Sequence, residues 1–168
     1  MTENIFLIGF MGAGKSTIAK ELQGMLHMNL VEMDARIVEE QGMSINDIFD
    51  RFGESHFRDL ESQLVLTIGN EGNTIVSCGG GVVVRPENVT NMKKNGKIIF
   101  LAATPETIYE RVKDSKERPI LNGHMNVEYI SELMEKRRAL YEAAADVRID
   151  VDGKSVSTIC EEIKHLVD

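Results

Sequence analysis

Gly9-Phe10-Met11-Gly12-Ala13-Gly14-Lys15-Ser16, with Thr17 directly after it, is the stretch that decides how this chain is read. It fits G-x-x-x-x-G-K-[ST], the phosphate-binding loop of nucleoside-triphosphate enzymes. Ile5 to Ile8, just before it, is a short apolar run of the kind a buried strand needs. Ile18, Leu22 and Met25, after it, recur at helical spacing. Strand, glycine loop and helix N-terminus therefore come in the required order. The glycines let backbone N–H groups curl round a phosphate, and the helix dipole adds positive potential there. In this pattern Lys15 reaches the β- and γ-phosphates and Ser16 ligates Mg²⁺.

Composition sets the bounds. At 168 residues one domain over 1–168 is expected, with 42% hydrophobic and 27% charged residues, ordinary for a soluble globular chain. A net charge of −8 argues against a general nucleic-acid binder, although a small anion can still bind where a few cations converge. No apolar run approaches the roughly 18 residues of a membrane span. Met1-Thr2-Glu3-Asn4 leads into the first strand without a signal peptide. Cys78 and Cys160 show no metal-ligand spacing and read as reduced thiols of a cytoplasmic protein.

Strands alternate with helices along the chain, which predicts an α/β fold with a parallel sheet. The second strand, residues 30–33, delivers Asp34 to the end of a strand where such sheets place ligand chemistry; Asp34 reads equally well as a helix N-cap. Short helices follow over 35–41 and from the capping box at Ser44. A longer helix over 54–68 carries Phe57, Leu60, Leu64 and Ile68 on one face. Arg58 and Glu61 lie three residues apart on it, and spacing alone makes them a surface ion pair. The next strand, 74–77, runs into Cys78-Gly79-Gly80-Gly81, where three glycines suit close approach of backbone to a ligand or a tight bend. Val82, Val83 and Val84 continue the apolar run, and Pro86 opens a helix that Gly96 ends. A strongly apolar strand over 98–101 and a helix capped by Thr104 come next. Periodicity then vanishes between Asp114 and Asn126, as expected of a functional loop such as a lid. A helix over 127–143 contains the basic cluster Lys136-Arg137-Arg138, on spacing alone a solvated face. A strand over 147–151, a turn at Asp152-Gly153 and a helix opened by Ser155 complete the chain.

Taken together, these residues resemble the shikimate kinases over essentially the whole chain. The phosphate loop (9–17), the segment of about 34–61 with Arg58 and Glu61, the triple glycine after Ser77, Arg118-Pro119-Ile120-Leu121, and Arg137 on its helix all keep that family's spacing. The resemblance implies a five-stranded parallel sheet in the order 2-3-1-4-5, flanked by helices, with a mobile lid over about 114–124. It implies ATP-dependent phosphorylation of the shikimate 3-hydroxyl in aromatic amino-acid biosynthesis, by a protein expected to act as a cytoplasmic monomer. Gly12, Ala13, Gly14, Lys15, Ser16 and Thr17 are then the ATP contacts, with Arg118 across the phosphates and with Arg111 and Ser155 toward the adenine. Asp34, Arg58, Gly79, Gly80, Gly81 and Arg137 are the shikimate contacts. Lys15, Asp34 and Arg118 are the catalytic set, and Mg²⁺ falls to Ser16 and Glu32. Glu32 departs from the family, which usually has an aspartate there.

Two alternatives remain at this level. One is a related kinase acting on gluconate or a nucleoside monophosphate, since both share loop and lid. The other is a nucleotide-binding module without catalysis, against which the presence of Lys15, Ser16, Asp34 and Arg118 argues.

Overall fold

The structure, a computed structural model, describes residues 3–113 and 126–167. Its centre is β1 (Asn4–Ile8), every residue of which is buried. On one side β1 pairs in parallel with β3 (Thr74–Ser77), which pairs with β2 (Asn29–Glu32); on the other it pairs with β4 (Gly96–Ala102), which pairs with β5 (Val147–Asp150). The order β2-β3-β1-β4-β5 is the one the resemblance implies. Strands buried on both faces read as unbroken apolar runs, which is why β1 and β4 stood out in the sequence.

Alternate side chains of each strand serve different cores. Ile5 and Leu7 of β1, Ile75 of β3, and Ile99 and Leu101 of β4 face one side. There they meet α1 (Lys15–Leu26) through Ile18 and Leu22, α6 (Pro105–Val112) through Ile108, and α8 (Val156–Val167) through Ile159 and Ile163. Phe6, Ile8, Val76, Ile98 and Phe100 face the other side. Their partners come from α2 (Met33–Gln41), α3 (Ile45–Phe52), α4 (Glu54–Glu71), α5 (Pro86–Asn95) and the C-terminal half of α7 (Val127–Ala144). Ser44, Thr104 and Asn126 cap α3, α6 and α7, accepting from the N–H groups of Asp47, Thr107 and Tyr129.

Two local expectations change. The strand expected over 30–33 spans Asn29–Glu32, because β3 ends at Ser77 and leaves Met33 no ladder partner. Met33 turns into the core as the first residue of α2, so Asp34 sits in the helix's first turn and Glu32 holds the cap position. Val82–Val84, expected to prolong an apolar run, form a single 3₁₀ turn. The amides of Val82 and Val84 bond back to the Gly79 and Gly81 carbonyls, which takes them out of any sheet ladder.

Because β1 sends its chain through α1 toward β2 while β4 lies on its other side, the loop after β1 sits at the switch point of the sheet. Open α/β sheets bind ligands there. At the opposite end, Asn4 ties the sheet together: fully buried, it donates to the Ile68 carbonyl at 3.4 Å and accepts from the Thr74 amide at 3.0 Å. Asn4→Ala leaves the Thr74 amide buried without its acceptor and takes one of two donors from the Ile68 carbonyl, which keeps the Gly72 amide. We expect a loss of about 2 kcal/mol and a thermal midpoint lower by about 4–8 °C. Turnover at 25 °C should be unchanged, which calorimetry paired with a rate assay checks.

Candidate active site

Between Ile8 and Lys15 the chain folds into a loop that only glycine can supply at key points. Gly12 and Gly14 have φ of 85° and 99°, and a Cβ on Gly12 would lie 2.8 Å from the Val112 side chain. Gly14 takes the cap position of α1, no side chain caps that helix, and its first turn holds no acid. The helix N-terminus thus offers backbone N–H groups and positive potential that no acid of its own first turn offsets. The Lys15 ammonium lies across this loop, donating to the carbonyls of Gly9 at 2.7 Å and Phe10 at 3.0 Å. Arg111 reaches it from α6, with Nη1 donating to the Gly12 carbonyl at 2.9 Å.

The loop forms one wall of a cavity of about 370 Å³. Gly12, Gly14, Lys15, Ser16, Thr17 and Arg111 line it, together with Glu32, Asp34, Ser77 and Gly80. Ala13 is buried beneath the loop. Ser16 Oγ stands 3.4 Å from Ser77 Oγ, and Glu32 Oε1 is buried without a hydrogen-bond partner. Among the described residues no three His, Cys, Asp or Glu side chains gather into a metal site. A cation here would therefore depend on Ser16, Glu32 and the ligand's own oxygens, as Mg²⁺ sites on phosphates do.

Beyond Gly80 the cavity meets a second cluster, built around the triple glycine. None of the three has a positive φ; Gly81 has φ −102°. What they supply is space. A Cβ on Gly79 would stand 2.5 Å from Glu61 Oε2 and 3.0 Å from Asp34 Oδ1. One on Gly80 would meet Arg137 Nη1 at 3.5 Å, and one on Gly81 would overlap the Arg58 guanidinium. Side chains from α2, α4 and α7 thus converge on three consecutive glycines.

Arg58 and Glu61, which spacing alone made a surface pair, are buried. Nη1 of Arg58 donates to Glu61 Oε1 at 2.7 Å, and Nη2 lies 3.3 Å from the half-exposed Glu54. Burial alone lowers the Arg58 pKa, but Glu61 and Glu54 outweigh it and the net shift is upward, so the guanidinium stays charged. Glu61 shows the opposite balance. Burial raises its pKa, Arg58 pulls it back, Asp34 adds to the rise, and the net direction is up. Arg137 is 7% exposed, lies 6.0 Å over the Phe10 ring, and has a buried Nη1 with no hydrogen-bond partner.

Sequence reasoning missed Tyr141, reading it only as one more residue of α7. Its hydroxyl donates to the Gly80 carbonyl, its ring stacks on Phe100, and burial pushes its pKa up to about 12. Its place one turn after Arg137 was the available signal. Of the residues singled out in the sequence, Ser155 alone among the described ones stands apart: its hydroxyl accepts from the Thr158 amide at 3.1 Å at the start of α8, away from the cavity wall. Arg118 and the expected lid over about 114–124 lie outside the described residues.

Known proteins share both sequence and fold with this chain. A sequence model of the shikimate kinase family matches residues 11–168. A shikimate kinase of Persephonella marina is 46% identical over 160 residues, covering 95% of this chain and 96% of its own. The crystal structure of shikimate kinase from Aquifex aeolicus has a TM-score of 0.84 at 34% identity, covering 96% of this chain and 94% of that one. Shikimate kinase from Acinetobacter baumannii, in complex with shikimate, reaches a TM-score of 0.95 at 26% identity, covering 99% and 93%. With this loop, this sheet order and these relatives, the chain belongs to the shikimate kinase family.

Proposed function

We propose that the protein transfers the γ-phosphoryl group of ATP to the 3-hydroxyl of shikimate, giving shikimate 3-phosphate and ADP, and that the cavity described above is where it does so. The observation that carries the site assignment is the buried Nη1 of Arg137, unpaired and facing Gly80, which lines the cavity. A buried guanidinium N–H without an acceptor is rare unless a ligand supplies one. A carboxylate does so, and it binds guanidinium with directional paired bonds. Arg58 and Arg137 take the shikimate carboxylate, and the glycines let the ring approach the backbone.

At the other end the loop amides and Lys15 hold the phosphates. Lys15 neutralises charge on the transferring group, where fixed cations matter most. Asp34, between the two ends, holds the 3-hydroxyl in line and accepts its proton as the bond to phosphorus forms. Arg118 adds a second cation to the phosphoryl group, and a lid over about 114–124 excludes water that would compete for it. The buried, unpaired Glu32 Oε1 fits a cation, and with Ser16 it would hold Mg²⁺, which supplies charge neutralisation on the phosphates. The enzyme works as a cytoplasmic monomer on this reading. Among the described residues no helix is long and apolar enough to cross a membrane.

The direct test is ADP release with ATP, Mg²⁺ and a panel of shikimate, quinate, gluconate and AMP. Shikimate should dominate, and comparable turnover of gluconate or AMP would overturn the assignment. Lys15→Ala and Asp34→Asn should fold normally and lower kcat by about 10²-fold or more, since each acts on the reacting atoms; near-normal turnover of either would remove its role. Gly81→Ala, with a backbone any residue adopts, should displace the Arg58 guanidinium. The shikimate KM should rise by about tenfold, or about 1.4 kcal/mol, while the ATP KM stays put. Glu32→Gln should raise the Mg²⁺ concentration for half-maximal rate by about tenfold and leave shikimate binding without nucleotide unchanged. An unaltered Mg²⁺ requirement would leave Ser16 as the metal's one protein ligand.

A further inference from the structure

Glu61 has one oxygen bound to Arg58 and the other, Oε2, buried without a partner and facing Gly79. Its side chain is fully buried, yet among the described residues the one hydrogen bond it receives is from the guanidinium proposed to take the substrate's carboxylate. Among the described residues that face these glycines, the charges balance before a ligand arrives. Glu61 and Asp34 supply two negative charges, and Arg58 and Arg137 supply two positive ones. Glu54, also on Arg58, is half-exposed and screened by solvent. Lys15 stands at the phosphate end, bonded to the Gly9 and Phe10 carbonyls. A carboxylate ligand adds one negative charge and draws on the same Arg58 that compensates Glu61. In a buried cluster an unbalanced charge is expensive, and the group that yields is the one able to become neutral.

We propose that Glu61 takes up one proton from solvent, on Oε2, when the carboxylate of shikimate engages Arg58, so that substrate binding and protonation of Glu61 are a single coupled event. This rests on the reading of Arg58 as a carboxylate ligand. The proton restores the charge balance and converts Oε2 from an unpaired acceptor into a donor facing the Asp34 carboxylate across Gly79. Glu61 is thereby a positioning residue: it fixes Arg58 before the ligand arrives and releases its claim on that charge afterwards.

The other groups facing Glu61 do not supply the proton change. Arg58 and Arg137 remain charged. Cys78 and Tyr141 are held neutral by burial, which pushes both of their pKa values upward. Burial also raises the Glu61 pKa before any ligand binds, and an added anion raises it further. The sign follows. With a higher pKa in the complex than in the free enzyme, affinity is fullest below the free-enzyme value. It falls as pH rises between the two values, by up to about tenfold per unit.

Calorimetric titration of shikimate into the nucleotide-free enzyme tests this, in phosphate, HEPES and Tris buffers across pH 6 to 9. The heat of binding in the wild type should vary with the buffer's ionisation enthalpy, with a slope giving uptake of up to one proton. Glu61→Gln, a neutral isostere of the protonated acid, should bind with the same heat in every buffer. Its affinity should be flat with pH, matching the wild type at the acid end and exceeding it at the alkaline end. A merely structural role predicts weaker binding of that variant at every pH. Buffer-independent heat in the wild type at all pH values, or the same uptake persisting in a folded Glu61→Gln, overturns the proposal and leaves the substrate assignment intact. Absence of shikimate binding to the wild type in every buffer overturns both.

Discussion

Lack of room at three consecutive positions is the constraint on which this site depends. Gly79, Gly80 and Gly81 pass between helices α2, α4 and α7 where a single methyl group would strike Glu61, approach Arg137 or overlap Arg58. Their backbone angles are not the reason for glycine, since none lies in the left-handed region. Omission of the side chains is what lets four charged groups from three helices gather at the end of β3. The Tyr141 hydroxyl, bound to the Gly80 carbonyl, then ties α7 and its Arg137 to the same backbone.

That gathering gives a chain with a net charge of −8 a local cluster of cations suited to the anion site proposed. Lys15 and Arg111 serve the loop, and Arg58 and Arg137 the glycines, so the local balance along the cavity differs from that of the whole surface. Arg58 and Arg137 are also buried, and a buried cation is far less screened than a surface one. The cost of holding Arg58 inside is offset by Glu61 at 2.7 Å, and truncating Glu61 would leave the buried guanidinium only the half-exposed Glu54.

Much of this was legible in the sequence, for identifiable reasons. The loop at 9–17 combines rare residues at fixed spacing, and the buried strands announce themselves as apolar runs. Caps at Ser44, Thr104 and Asn126 rest on local side-chain chemistry, which needs no tertiary information. What could not be read depends on partners distant in the chain. Arg58 and Glu61 have the spacing of an ordinary surface pair, and only the packing of α4 against β3 and the glycine turn buries them. The end of β2 depended on where β3 stops, which placed Asp34 in a helix rather than at a strand end. Tyr141 looked like any helical aromatic because its acceptor, the Gly80 carbonyl, is 61 residues away.

The shift of Asp34 into the first turn of α2 has a chemical consequence. A carboxylate in a helix's first turn faces the positive end of the helix dipole, which favours its charged form. Glu61, across Gly79, is fully buried in the middle of α4, where Arg58 is its ion-pair partner. Two carboxylates facing one glycine are thus placed differently: Asp34 at a helix end on the cavity lining, Glu61 fully buried within a helix. Like charges held this close do not both ionise freely once a third anion arrives. On the proposed coupling, Glu61 takes up the charge of the ligand, and Asp34 is left to accept a hydroxyl proton. The division of roles is written by where each backbone ends or begins a helix, not by residue type.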